Sequence, residues 1–169
     1  NLYEAFSDSA RKVREELEDA FDNFCAALRI QDNGKPALSY DSRKDIFEKL
    51  LRLTTQFESD NRKIEVYTNL LSEDLCSDGD QKANTLIALA GVFYKKNQLE
   101  KSLAEYTKAT KVDVENKRIK ALALYLAGET AKKLVEIRAA GQSLREKSYE
   151  DLMLKVVTGF SRPSSCISV

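Results

Sequence analysis

The residue types that most often carry chemistry are scarce in this chain. It has no histidine, and its three cysteines lie far apart, at Cys25, Cys76 and Cys166. Without an imidazole, no side chain has an ordinary pKa close to neutrality for general acid–base catalysis, and three scattered thiols cannot complete a four-cysteine zinc site. An odd, widely spaced set is also unlike the disulfide framework of a small secreted protein. We expect no metal, no cofactor and reduced thiols in a cytoplasmic protein.

One acidic stretch has part of the spacing of a metal site. Asp74 and Asp78 stand before Gly79 as acids do at the start of a calcium-binding loop, but Cys76 occupies a position that needs an oxygen ligand. Thr85 replaces the glutamate that closes such a loop, so a polar connection between helices is the better interpretation. The sequence also lacks a Gly-rich phosphate loop, a paired-acid motif and a nucleophile elbow. These absences favour a protein that is not an enzyme.

The chain ends with Cys166-Ile167-Ser168-Val169, which has the outline of a prenylation box. Ser168 is not aliphatic, Val169 is an uncommon last residue, and Arg162 is the only basic residue close by. Stable anchoring by one lipid needs a second signal, such as a basic cluster. Lipidation of Cys166 is therefore an alternative, in which the protein would attach to a membrane only peripherally.

Charge is balanced over the whole chain but not along it. Lys plus Arg and Asp plus Glu both number 27, so the net charge is zero and nothing predicts a nucleic-acid partner. Residues 1–82 have 12 basic and 18 acidic side chains, a net charge of −6, whereas residues 83–169 have 15 and 9, a net charge of +6. This asymmetry could orient a partner or a second copy of the chain, although solvated helix faces are the plainer interpretation. The sequence does not decide the oligomeric state.

The spacing of apolar residues predicts an all-α fold. Six glycines, two prolines and apolar residues that recur every three or four positions are typical of amphipathic helices. We expect an array of about seven helices in antiparallel pairs, forming one all-α domain and ending in a mobile tail. The predicted elements are a long helix at 2–30, helical hairpins at 42–73 and 81–113, a long helix at 115–140 that stops at Gly141, and a last helix at 143–158, so that the domain covers 1–158 and the tail 159–169.

Residues 83–116 resemble a tetratricopeptide repeat. The resemblance rests on apolar and small residues in two short helices and on the turn between them, namely Leu86, Leu89, Ala90, Phe93, Asn97, Ser102, Tyr106 and Ala109. Leu86 stands at the first aromatic position of that motif and Val114 at its closing proline. A fainter copy covers residues 47–80. The resemblance implies stacked helix pairs that bind a peptide of a partner protein in their concave face.

The same part of the chain is also similar to the three-helix MIT domain (microtubule interacting and trafficking). The similarity lies in residues 99–106, in Tyr125-Leu126 and in residues 129–134. It implies a helical bundle whose surface groove binds a short amphipathic helix of a membrane-trafficking partner. Both resemblances imply a binding, adaptor or scaffold function.

Six residues of the helix that starts near 81 are not assigned to packing by the repeat, namely Ala88 and five candidates for a site: Asn84, Ile87, Gly91, Tyr94 and Lys95. Gly91 costs about 1 kcal/mol relative to alanine inside a helix, which the close approach of another backbone would explain. Tyr94 and Lys95 offer an amphipathic ring and a cation. We predict that these five residues line a groove for a protein or peptide partner; in the alternative, Gly91 packs beneath a neighbouring helix and Tyr94 belongs to the core.

Overall fold

The computed structural model describes residues 2–160, without the side chains of residues 2–4, 6, 152 and 155–160. Its described part confirms the all-α prediction, because it contains six helices and only one very short β-ribbon. The elements are α1 (Leu2–Arg29), β1 (Gln31–Asp32), β2 (Lys35–Pro36), α2 (Tyr40–Gln56), α3 (Asp60–Ser72), α4 (Gly79–Lys95), α5 (Leu99–Lys111) and α6 (Lys117–Phe160). The described residues form two compact units, one up to residue 130 and one from residue 131 onward, and their boundary falls within α6.

Polar side chains define where α2, α3 and α4 begin. The Ser39 hydroxyl accepts a hydrogen bond from the backbone N–H of Ser42, at 3.2 Å, and starts α2. Asp78 accepts one from the N–H of Gln81, at 2.8 Å, and starts α4. Such caps satisfy N–H groups that have no partner inside the helix and contribute about 1 kcal/mol each.

The first three helices enclose a core of their own. Phe47 and Leu50 of α2 are fully buried, and the rings of Phe21 and Phe57 meet edge to face with their centres 5.8 Å apart. The rest of this core comes from Cys25 and Leu28 of α1, from Val66 and Leu70 of α3, and from Leu75, which follows α3. The long α1 is therefore held to α2 and α3 by the apolar stripe that its sequence shows.

Helices α4 and α5 form the most extensive helix–helix interface of the first unit. Their contact is built from Ala90, Ser102 and Ala109, of which none is more than 1% exposed. The Ser102 hydroxyl donates a hydrogen bond to the carbonyl oxygen of Ala90 at 2.9 Å, across the interface. Small side chains let the helices approach closely. The turn predicted at Asn97 is confirmed, since this residue has the left-handed φ of 58° that ends α4.

The C-terminal helix differs from the sequence prediction. Where the spacing predicts two helices, 115–140 and 143–158, the structure has the single helix α6, which continues through Gly141. A glycine ends a helix when it adopts a left-handed conformation, and Gly141 does not. Residues 142–160, which complete α6, include no proline, so the cost of about 1 kcal/mol for one glycine does not stop the helix.

Gly79, the first residue of α4, is the glycine whose lack of a side chain matters most for packing. A Cβ atom placed on it would lie 1.8 Å from the carbonyl oxygen of Asp113. The backbone that leaves α5 thus passes directly against the start of α4, and only glycine leaves room for it.

We therefore expect Gly79→Ala to lower the free energy of unfolding by about 1–3 kcal/mol, the usual cost of overpacking. Urea denaturation followed by circular dichroism measures this change. Gly128→Ala is the matched control, because nothing lies within 4 Å of the position of its Cβ. Equal stability of both variants would contradict the close approach of Asp113.

Candidate functional site

The five predicted site residues all lie on one face of α4. Asn84 is exposed, Ile87 and Gly91 are half-buried, and Tyr94 is 37% exposed, so Tyr94 is not a core residue. Ile87 also packs against the small core that Leu86 shares with α5 and α6. The structure thus brings these residues together on a face that is part surface and part packing.

Lys95 has a structural role as well as an exposed position. Its side chain is 70% exposed, and its Nζ lies 3.3 Å from Asp60 Oδ1 at the start of α3. The neighbouring Lys96 donates a hydrogen bond to Asn61, which also lies in α3. Exposed ion pairs contribute at most about 1 kcal/mol, so Lys95 tethers α4 to α3 only weakly.

Tight packing does not explain why position 91 holds a glycine. A Cβ placed on it would meet only the hydroxyl oxygen of Tyr106, at 3.9 Å, which is an ordinary contact. Gly91 therefore lies beside Tyr106 of α5 without a tight contact, and the alternative that it packs beneath a neighbouring helix stays a prediction.

We expect Gly91→Ala to raise the free energy of unfolding by about 0.5–1 kcal/mol, because alanine loses less conformational entropy than glycine inside a helix. Thermal and urea unfolding of the two proteins would measure it. A loss of stability instead would mean that the Tyr106 contact cannot accommodate a methyl group.

A groove of about 730 Å³ lies on another face of α4, between α3 and α5. We call it the α4 groove. Leu86 and Leu89 lie in its floor, only 6% and 4% exposed, together with the half-buried Phe93. The residues that line the groove are Thr68, Leu71, Ser72, Lys82, Leu86, Leu89, Phe93, Glu105, Lys108, Lys111, Val112 and Asp113.

The α4 groove and the predicted face are on opposite sides of the helix. With 3.6 residues per turn, Leu86, Leu89 and Phe93 form one stripe, and Asn84, Gly91 and Lys95 lie about half a turn away. The sequence argument assigned the leucine stripe entirely to packing between helices. In the structure Leu86 and Leu89 are buried, as such packing requires, whereas Phe93 is only half-buried, and all three line the groove. In the sequence, the lysines that flank the groove are the feature that could have indicated it.

Basic residues gather at one end of the α4 groove. Lys82 is in the first turn of α4, and Lys108 and Lys111 are in the last turn of α5. These turns are neighbours, because the residues that leave α5 pass against Gly79. The groove therefore has three cationic side chains where α4 begins and α5 ends.

The acidic residues of the groove offset these lysines only in part. Glu105 is bonded to Lys108, with Oε1 2.7 Å from Nζ, and Asp113 is the second acid. At the other end, Nζ of Lys101 lies 5.6 Å from the centre of the Phe93 ring. Cations over aromatic faces are attracted by the ring quadrupole. With Lys101 included, four lysines and two acids surround an apolar floor.

The acidic stretch between α3 and α4 is a helix cap. Asp78 Oδ2 accepts a hydrogen bond from the Tyr40 hydroxyl at 2.6 Å and lies 3.4 Å from Lys44 Nζ. Burial raises the pKa of Asp78, but its hydrogen bonds outweigh burial and leave that pKa below the ordinary value. Among the residues that the structure describes, no group of three or more His, Cys, Asp or Glu side chains could hold a metal ion.

Two of the three thiols are placed where they react poorly. Cys25 is buried in the core of α1, α2 and α3, and Cys76 is half-buried after α3. Burial raises the pKa of each to about 11. Because the thiolate is the nucleophilic form, neither is suited to nucleophilic catalysis near neutral pH. Cys166, the predicted lipidation site, lies outside the described residues.

A Cys166→Ser variant isolates the two inner thiols for measurement. We expect both to react with a disulfide reagent at pH 7.5 on the order of 100-fold more slowly in the native state than in denaturant. Because both pKa values are raised, the native rate should climb as the pH approaches 11. Fast labelling of either thiol near neutral pH would instead identify a reactive cysteine.

No family model, curated protein or solved structure matches this chain. The tetratricopeptide and MIT resemblances therefore stay predictions. Within the described residues, no helix is both long enough and apolar enough to cross a membrane.

Proposed function

We propose that this protein is a non-catalytic interaction module that binds a segment of a partner protein in the α4 groove. The observation that carries the proposal is the groove between α3 and α5, with its apolar floor on α4. In that floor Leu86 and Leu89 are buried, and Phe93 is half-buried and accessible between the walls formed by α3 and α5. Apolar floors with a few polar groups at the rim are typical of binding sites.

The dimensions of the groove suit a short segment. From Lys82 to Phe93 its floor follows α4 for about three turns, or about 16 Å at 1.5 Å per residue. This length accommodates three turns of a partner helix or about five residues of an extended peptide. A scaffold or adaptor role follows from such a site, and it agrees with what both sequence resemblances imply.

Site-specific photocrosslinking tests where the partner binds. A benzophenone amino acid replaces Ser72, which is exposed in the groove, or Asn84, which is exposed on the opposite face of α4. After irradiation in cell lysate, mass spectrometry identifies the peptide joined to each position. We expect a defined partner segment at Ser72 and none at Asn84.

Two matched double variants then assign the binding energy. Phe93→Ala with Lys111→Glu alters the groove, and Tyr94→Ala with Lys95→Glu makes the same types of change on the opposite face. Truncating a central aromatic anchor typically costs about 2 kcal/mol, or thirtyfold in affinity. We expect crosslinking at Ser72 to fall only in the groove variant, with both variants folded by circular dichroism. The reverse dependence would place the site on the face of Tyr94 and Lys95.

A further inference from the structure

The α4 groove has features that indicate the chemistry of its occupant. Building on the proposed function, we infer that the groove binds an amphipathic helix of a partner protein whose apolar stripe is flanked by acidic residues. Two independent observations support this inference: the hydrogen bonding of the groove walls and the distribution of lysines.

The walls of the groove offer little to the backbone of an extended peptide. An extended segment needs donors and acceptors along its length, which sheet edges supply, whereas α3, α4 and α5 use their own backbone groups within each helix. The hydroxyls on the α3 wall are also engaged: Thr68 donates to the carbonyl of Ile64 at 2.7 Å, and Ser72 to that of Asn69 at 3.1 Å. A helix satisfies its own backbone and presents only side chains, so it fits such walls without unpaired polar groups.

The charge of the groove indicates which side chains lie beside the apolar stripe of that partner helix. Lys82 and Lys111 form no ion pair with any residue in the described part of the chain, although both line the groove. Lys108 is paired with Glu105 and adds less. Burying an apolar helix here would bring its flanking side chains to these lysines. Acidic flanks would form ion pairs at the rim, and basic flanks would be repelled.

A pair of synthetic helices tests the inference directly. Both are labelled 16-residue peptides with leucines at helical spacing; one has glutamates at the flanking positions and the other has lysines. Fluorescence anisotropy measures their binding to the full chain at low and high salt. We expect the glutamate peptide to bind at least about tenfold more tightly, with the preference shrinking as salt screens the rim charges.

Charge reversal within the groove supplies the second arm of the experiment. Lys82→Glu with Lys111→Glu should invert the preference, so that the lysine peptide becomes the tighter ligand. The matched control is Lys35→Glu with Lys120→Glu, two exposed residues outside the groove that change the net charge equally. This control should leave the preference unchanged. Circular dichroism checks that both variants keep the fold.

Several results would overturn the inference while the proposed function stands. Equal or tighter binding of the lysine peptide is one, and capture of a non-helical segment at Ser72 with neither synthetic helix bound is another. If Lys82→Glu with Lys111→Glu instead abolished sedimentation with phosphatidylserine vesicles, the groove would bind a membrane surface, and if it abolished a dimer of the wild-type chain, the groove would bind a second copy. Either result would overturn the proposed function together with the inference. Absence of any crosslinked segment at Ser72 would overturn the proposed function itself.

Discussion

The close contact between α4 and α5 is the constraint on which the rest of the first unit depends. Ala90 and Ser102 meet with a hydrogen bond of 2.9 Å, and the chain that leaves α5 passes against Gly79 at the start of α4. Because the two helices are joined at both places, their relative position has little freedom. The stripe formed by Leu86, Leu89 and Phe93 is consequently held beside the α5 wall, so the groove is part of the folded chain itself. A preformed groove lowers the ordering cost of binding.

The same contact explains the position of the lysines. Lys82 begins α4 and Lys111 ends α5, so the antiparallel pairing brings together two residues that are 29 positions apart in the sequence. Neither residue alone marks a site, since exposed lysines are common on helices. Lys82 and Lys111 indicate a site only because an apolar floor lies between them. An apolar floor supplies affinity, and charges at a rim supply selectivity between partners.

Asp78 and Cys25 have structural roles in the first unit. Asp78 caps α4 and bonds to Tyr40, while Cys25 fills the core beside α2 and α3 with a pKa raised by burial. Each of these groups has its hydrogen bonds or its packing satisfied inside the chain. A binding role for this protein thus requires no chemistry beyond burial of apolar surface and pairing of charge.

By itself, the sequence determined the helices and several of their ends. Apolar spacing, the turn at Asn97 and the small residues at Ala90 and Ser102 are local or pairwise features, and the structure contains them as predicted. It could not determine that α6 continues through Gly141, because a glycine is permitted both inside a helix and at its end. Nor could it determine which face of α4 forms the groove. That depends on how far α3 and α5 stand apart across the leucine stripe, and only the packing of the whole unit fixes that distance.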